Sequence, residues 1–88
     1  MTEQEIRQYL TLIINSTWGF IPSIEVNFPT AGTVQVFLDG SPAERSDLMG
    51  KESRNLHAIK QLLRIFSRKR GVFSYIYIKP PQDEKNTA

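Results

Sequence analysis

The residues of this chain best suited to chemistry are Gly50-Lys51-Glu52-Ser53-Arg54, a short polar run feeding the longest helical pattern in the sequence. The chemistry is the holding of an anion rather than the making of a bond. A helix N-terminus presents N–H groups without intrahelical partners and carries a partial positive charge, which together favour phosphate. Lys51 and Arg54 add mobile cations at that end, and Lys60 and Arg64 extend a positive strip along the helix. Such a contact is largely indifferent to base sequence and sensitive to salt.

No other constellation points to catalysis. There is no phosphate-loop lysine motif and no Ser/His/Asp set in a recognisable context. Cysteine is absent and histidine occurs once, at His57, so no metal set is expected and His57 reads as a surface or groove-edge residue. We expect neither an enzyme nor a cofactor. Glu3/Glu5 and Asp83/Glu84 read as a helix start and tail solvation.

The elements that position the loop follow from periodicity. From Leu48 to Arg70, Leu56, Ile59, Leu62, Leu63 and Phe66 recur at three- and four-residue spacing, while Arg54, His57, Lys60, Arg64 and Arg68 fall on the other side. One face is expected to be buried and the other positive. Upstream, Thr2-Glu3-Gln4-Glu5 fits a capping box, and Ile6, Leu10, Ile13 and Ile14 continue a helical stripe to about Ser16. Gly19 is the expected stop, with Trp18 and Phe20 covering the core edge. Residues 23–28 and 33–38 alternate polar and apolar, the period of half-buried strands, and Pro29-Thr30-Ala31-Gly32 is a turn sequence, so the pair reads as an antiparallel hairpin. Ser41 before Pro42 suits the start of a short helix ending near Met49. Gly71 closes the long helix after the basic run Arg68-Lys69-Arg70, and residues 72–78 are strongly β-prone. Tyr75 and Tyr77 are read there as strand packing. Pro80-Pro81 ends the strand, and 81–88 is expected to be a flexible polar tail.

The fold class is therefore α+β in the order α-β-β-α-α-β, a three-stranded mixed sheet covered on one face by three helices. The crossover between the second and third strands is long enough to make that pair parallel. The chain of 88 residues is expected to form a single domain over 1–80. Residues 1–40 hold four acids and one base, a net of −3; residues 41–88 hold five acids and ten bases, a net of +5. This split suggests a polyanion partner for the C-terminal half. With no basic leader and no long apolar run, we expect a cytoplasmic protein without a membrane span.

This order, with Leu48-Met49-Gly50-Lys51-Glu52-Ser53-Arg54-Asn55-Leu56-His57-Ala58-Ile59 at its centre, resembles a type II KH domain. It is similar to the small bacterial KH-domain RNA-binding proteins and to the KH part of Jag-type proteins, over residues 3 to 79. The resemblance implies single-stranded RNA as partner and a role as an RNA chaperone or post-transcriptional regulator. It implies RNA contact by Met49, Gly50, Lys51, Glu52, Ser53, Arg54, His57, Lys60 and Arg64. In that family the loop clamps the backbone of about four nucleotides, beside a shallow apolar groove for which Leu48, Met49 and Val36 stand here, with plain core as the other reading of Leu48 and Val36. The family's second loop glycine is Ser53 in this chain. Ser53 either narrows the approach of a strand or caps the long helix with its hydroxyl. Glu52 sets a carboxylate where a phosphate passes. These departures keep open an alternative: a degenerate KH scaffold that binds a protein partner or a second copy of itself.

Overall fold

The computed structural model describes residues 1–79; the tail expected over 81–88 lies outside the described residues. The elements run α1 (Glu3–Trp18), β1 (Ser23–Thr30), β2 (Thr33–Asp39), α2 (Pro42–Met49), a single 3-10 turn (Lys51–Ser53), α3 (Arg54–Arg68) and β3 (Phe73–Ile78). This is the expected α-β-β-α-α-β layout of three helices and a mixed three-stranded sheet.

Local chemistry sets most boundaries. The Thr2 hydroxyl accepts from the Glu5 N–H at 3.2 Å, and the Glu5 carboxylate accepts from the Thr2 N–H at 2.8 Å, so α1 opens on a complete capping box. The helix runs two residues past Ser16, to Trp18, and stops where Gly19 turns left-handed and donates to the Asn15 carbonyl at 2.9 Å. Strand β1 is longer than expected. Pro29 and Thr30 belong to it rather than to the turn, which is only Ala31-Gly32. The register slips between Asn27 and Thr30. A proline has no N–H for a ladder, so it is tolerated on this edge strand beside an irregularity. Arg68 is the last residue of α3, and Lys69 to Gly71 form a turn rather than a final helical segment.

The strand order is β1-β2-β3, with β1 antiparallel and β3 parallel to the central β2. Val26 lies opposite Val36, and Val36 opposite Ile76. Even-numbered strand residues Ile24, Val26, Val34, Val36, Leu38 and Ile76 thereby share one face and form the core with Ile6, Leu10 and Ile14 of α1, Leu48 of α2, and Ile59 and Leu63 of α3. Odd-numbered residues of β2 and β3, and of β1 up to its slip after Asn27, point to the opposite face, which carries no helix. Tyr9 ties the two long helices: its ring stacks on Phe66 at 4.1 Å and its hydroxyl donates to the Leu62 carbonyl at 3.2 Å. Leu62 itself, expected on the buried face of α3, is exposed at the margin of the stripe. No helix of the described residues is long and apolar enough to cross a membrane.

Candidate nucleic-acid interface

The junction between α2 and α3 is held in an unusual backbone path. Gly50 ends α2 by donating its N–H to the Ser46 carbonyl at 2.9 Å. Its φ of 72° and ψ of 175° fall in a region open essentially to glycine alone. A Cβ placed there would stand 2.6 Å from Cγ of Asn55. That side chain has little freedom to retreat, because its Nδ2 donates to the Asp47 carbonyl at 2.7 Å and so bridges the end of α2 to the start of α3.

Two further residues take positive φ without being glycine: Glu52 (φ 55°, ψ 32°) and Ser53 (φ 61°, ψ 23°). Left-handed backbone costs an L-residue about 1–2 kcal/mol. The loop thus stores strain at two consecutive positions, an arrangement that the surrounding fold has to hold in place. The turn closes on a weak bond, the Ser53 N–H to the Gly50 carbonyl at 3.3 Å.

The left-handed Ser53 removes one of its two readings, that its hydroxyl caps α3. No side chain caps this helix. An N-cap residue normally sits in the extended region, where its oxygen can reach the first free N–H groups. The twist at Ser53 sends its hydroxyl to the Met49 thioether instead, donating to Sδ at 3.2 Å. The first turn of α3 therefore draws on no side-chain oxygen; its leading N–H, that of Arg54, donates to the Lys51 carbonyl, beside the cations of Lys51 and Arg54.

Lys51, Glu52, Ser53, Arg54, His57, Lys60 and Arg64 are all exposed, Met49 is 36% exposed, and Gly50 is half-buried beneath them. Ser53, Leu56, His57 and Lys60 line a small groove beside the loop. Lys60 is shared with a second shallow groove of about 220 Å³, whose other walls are Leu63 and Ser74 to Tyr77 of β3. Two connected, open depressions suit an extended ligand lying across α3 and β3. Arg64 lies one turn beyond Lys60 on α3 and walls neither groove. Among the described residues, Lys51, Arg54, Lys60, Arg64 and Arg68 have no acidic side chain within ion-pair distance. Arg70 differs: it lies over the Phe66 ring at 3.8 Å and 3.6 Å from Glu5, engaged in holding α1 to α3.

Leu48 and Val36, weighed as groove residues, are fully buried and belong to the core. The strand beside the loop helix is β3, not β2, because β2 is the central strand with both neighbours in place. Tyr75 and Tyr77 are not packed under the sheet: odd numbering in β3 puts them on its helix-free face, 50% and 44% exposed. Asn55 escaped sequence reasoning altogether. An asparagine five residues past a glycine that ends a helix is a weak signal, and only the folded junction shows what it bridges. Among the described residues no three His, Cys, Asp or Glu side chains gather as a metal set. Compared with known proteins, the chain matches no family model and no curated protein, which leaves its own residues as the ground for a functional reading.

Proposed function

We propose that the chain is a single-stranded RNA-binding module of the type II KH kind, acting as an RNA chaperone or post-transcriptional regulator. The observation that carries this reading is the α2–α3 junction: a glycine in a glycine-only conformation, two left-handed residues and an uncapped helix start, flanked by Lys51 and Arg54. The Ser53 and Arg54 N–H groups bond to the Gly50 and Lys51 carbonyls, so what the junction offers a phosphate is the positive end of α3 and the two cations beside it. The grooves that follow, floored by Leu56 and Leu63 and edged by Lys60, give bases a partly apolar bed. Glu52 lowers the local positive charge without cancelling it, since two cations neighbour it in the loop and two more follow on α3. Fluorescence anisotropy with a short single-stranded RNA at low salt tests the reading. The Lys51→Ala/Arg54→Ala variant is expected to bind at least about tenfold more weakly and with a shallower salt dependence. Equal binding by wild type and variant would remove the loop from any RNA contact.

One observation favours a second reading. Strand β3 lies at the edge of the sheet. Phe73 and Lys79 donate their N–H groups inward, to the Gly32 and Leu38 carbonyls at 2.9 and 2.8 Å. The alternation of a ladder turns Ser74, Ile76 and Ile78 outward, where a protein partner or a second copy adds a strand. Ser74→Pro removes an outward N–H while sparing the β2–β3 ladder. Light scattering that finds wild type monomeric at all concentrations, with no complex for the proline to break, would dispose of this reading for self-association.

A further inference from the structure

The helix-free face of the sheet is divided along its length. Toward β1 it is polar, with Ser23, Glu25, Asn27 and Gln35. Toward β3 it is aromatic. Phe73 is 66% exposed, Tyr75 50% and Tyr77 44%, and Tyr77 stacks on Phe37 of β2 with ring centroids 5.3 Å apart. Alternate residues of a strand stand about 6.6 Å apart. The three rings of β3 therefore form an evenly spaced row, each with a face or edge open to solvent. Core packing does not require them, because the buried side of β3 is supplied by Ile76.

The charges around this row have one sign. Glu25 is paired with Lys79 at 2.7 Å and Asp39 with Arg45 at 3.3 Å, so the acids of this face are compensated. Along the outer side of β3, Lys60 walls the groove that also contains Tyr75 and Tyr77, and Arg68 walls a depression with Phe73. The aromatic row is thus bordered by cations that pair with no acid among the described residues, and it shares two of its rings with the groove that leads back to the loop. Aromatic rings interleaved with cations are what unpaired bases on a phosphate backbone require. The apolar part is the β3 row widened only by Phe37 of β2, with Gln35 and the polar side chains of β1 beyond it, which is narrow for a stable protein interface.

We propose that Phe73, Tyr75 and Tyr77, backed by Phe37, form a base-stacking platform for nucleotides of a single-stranded RNA that extend past the loop and its groove. The platform rests on the RNA reading given above, and oligonucleotide length separates the two. A tetranucleotide is short enough to be taken up by the loop and groove alone, whereas a strand of about ten nucleotides also covers the sheet face. Fluorescein-labelled oligouridylates of these two lengths are titrated against wild type, Phe73→Ala and Lys51→Ala/Arg54→Ala; Phe73 is the ring of the row that walls neither groove. The ring variant is expected to bind the longer strand at least about fivefold more weakly, since each stacked base contributes on the order of 1 kcal/mol or more, and to bind the tetranucleotide within about twofold of wild type. That unchanged affinity also certifies its fold. Phe73→Tyr, which keeps the ring, is expected to restore the longer strand.

A ring variant that binds both strands as wild type does overturns the platform and leaves the loop reading intact. A loop variant that binds the tetranucleotide as wild type does, with the ring variant still impaired on the longer strand, overturns the loop reading and leaves the platform. Failure of wild type to bind either strand overturns both. Light scattering that shows a wild-type dimer split by Phe73→Ala also overturns the platform, because a second copy then covers the rings.

Discussion

Helices α2 and α3 each follow a serine, and the two serines behave in opposite ways. Ser41 is extended (φ −64°, ψ 164°); its hydroxyl accepts from the Glu44 N–H at 3.2 Å, and Glu44 returns the bond to the Ser41 N–H at 2.9 Å. Ser53 is left-handed, and its hydroxyl turns away from the helix that it precedes. The residue type is the same, and the backbone decides what it does. A helix start that spends its amides on its own side chains is a structural joint. The α3 start, with no side-chain cap and two left-handed residues before it, commits its leading N–H to the Lys51 carbonyl and keeps exposed side chains around its positive end.

The largest test of this contrast is Gly50→Ala. The new Cβ meets the anchored Asn55, and the backbone must leave its glycine-only conformation, so a loss of about 2–3 kcal/mol is expected in urea unfolding. A loss under about 0.5 kcal/mol would mean that the junction relaxes freely. Next in size, Ser41→Ala is expected to cost about 1 kcal/mol as the α2 cap is lost, whereas Ser53→Ala, which removes no cap, should change stability by less than about 0.5 kcal/mol. Equal losses would erase the distinction between the two serines. Ser53→Gly relieves the left-handed strain but loosens the unfolded chain, for a net gain of about 0.5–1 kcal/mol; a loss would show that Ser53 is not strained in solution.

The smallest effect concerns α1, the other boxed helix. The Glu5 carboxyl is held below the usual carboxylate range, chiefly by the Thr2 backbone N–H, with the Thr2 hydroxyl and Arg70 assisting. A carboxyl depressed in the folded state adds stability at neutral pH that is lost as pH falls through its lowered value. The melting temperature of Glu5→Gln should therefore decline less steeply with acid than that of wild type. Parallel acid limbs would show that the Glu5 charge adds nothing to the cap.

What could be read in advance divides along the same line. The boxes of α1 and α2 are visible as Thr2…Glu5 and Ser41…Glu44, and the strand faces as alternation, because each is a local rule. The bare start of α3 was half visible: Leu56 stands where a capping box places Glu or Gln, yet Ser53 still invited a cap. Its left-handed turn sits in the junction that Asn55 bridges between α2 and α3, and leaves no mark in residue type. The exposure of Tyr75 and Tyr77 was hidden for another reason. A β-prone run reports that a strand forms and not which of its faces meets the core; the parallel register against Val36 settles that. The pairing of Glu25 with Lys79, which holds the carboxyl low and the amine high, likewise joins the ends of two strands far apart in the chain.

The two ladders of the sheet also close over very different stretches of chain. β1 and β2 meet through Ala31-Gly32, while β3 reaches β2 only after α2, the loop and α3 have been traversed. Contacts between distant segments carry the greater closure entropy and set the pace of assembly. We expect a fragment ending at Val72 to lose native-like amide shift dispersion over 50–57; its retention would refute this. The hairpin is the local half of the molecule, and the α2–α3 corner is its distant half, completed only when the last strand docks.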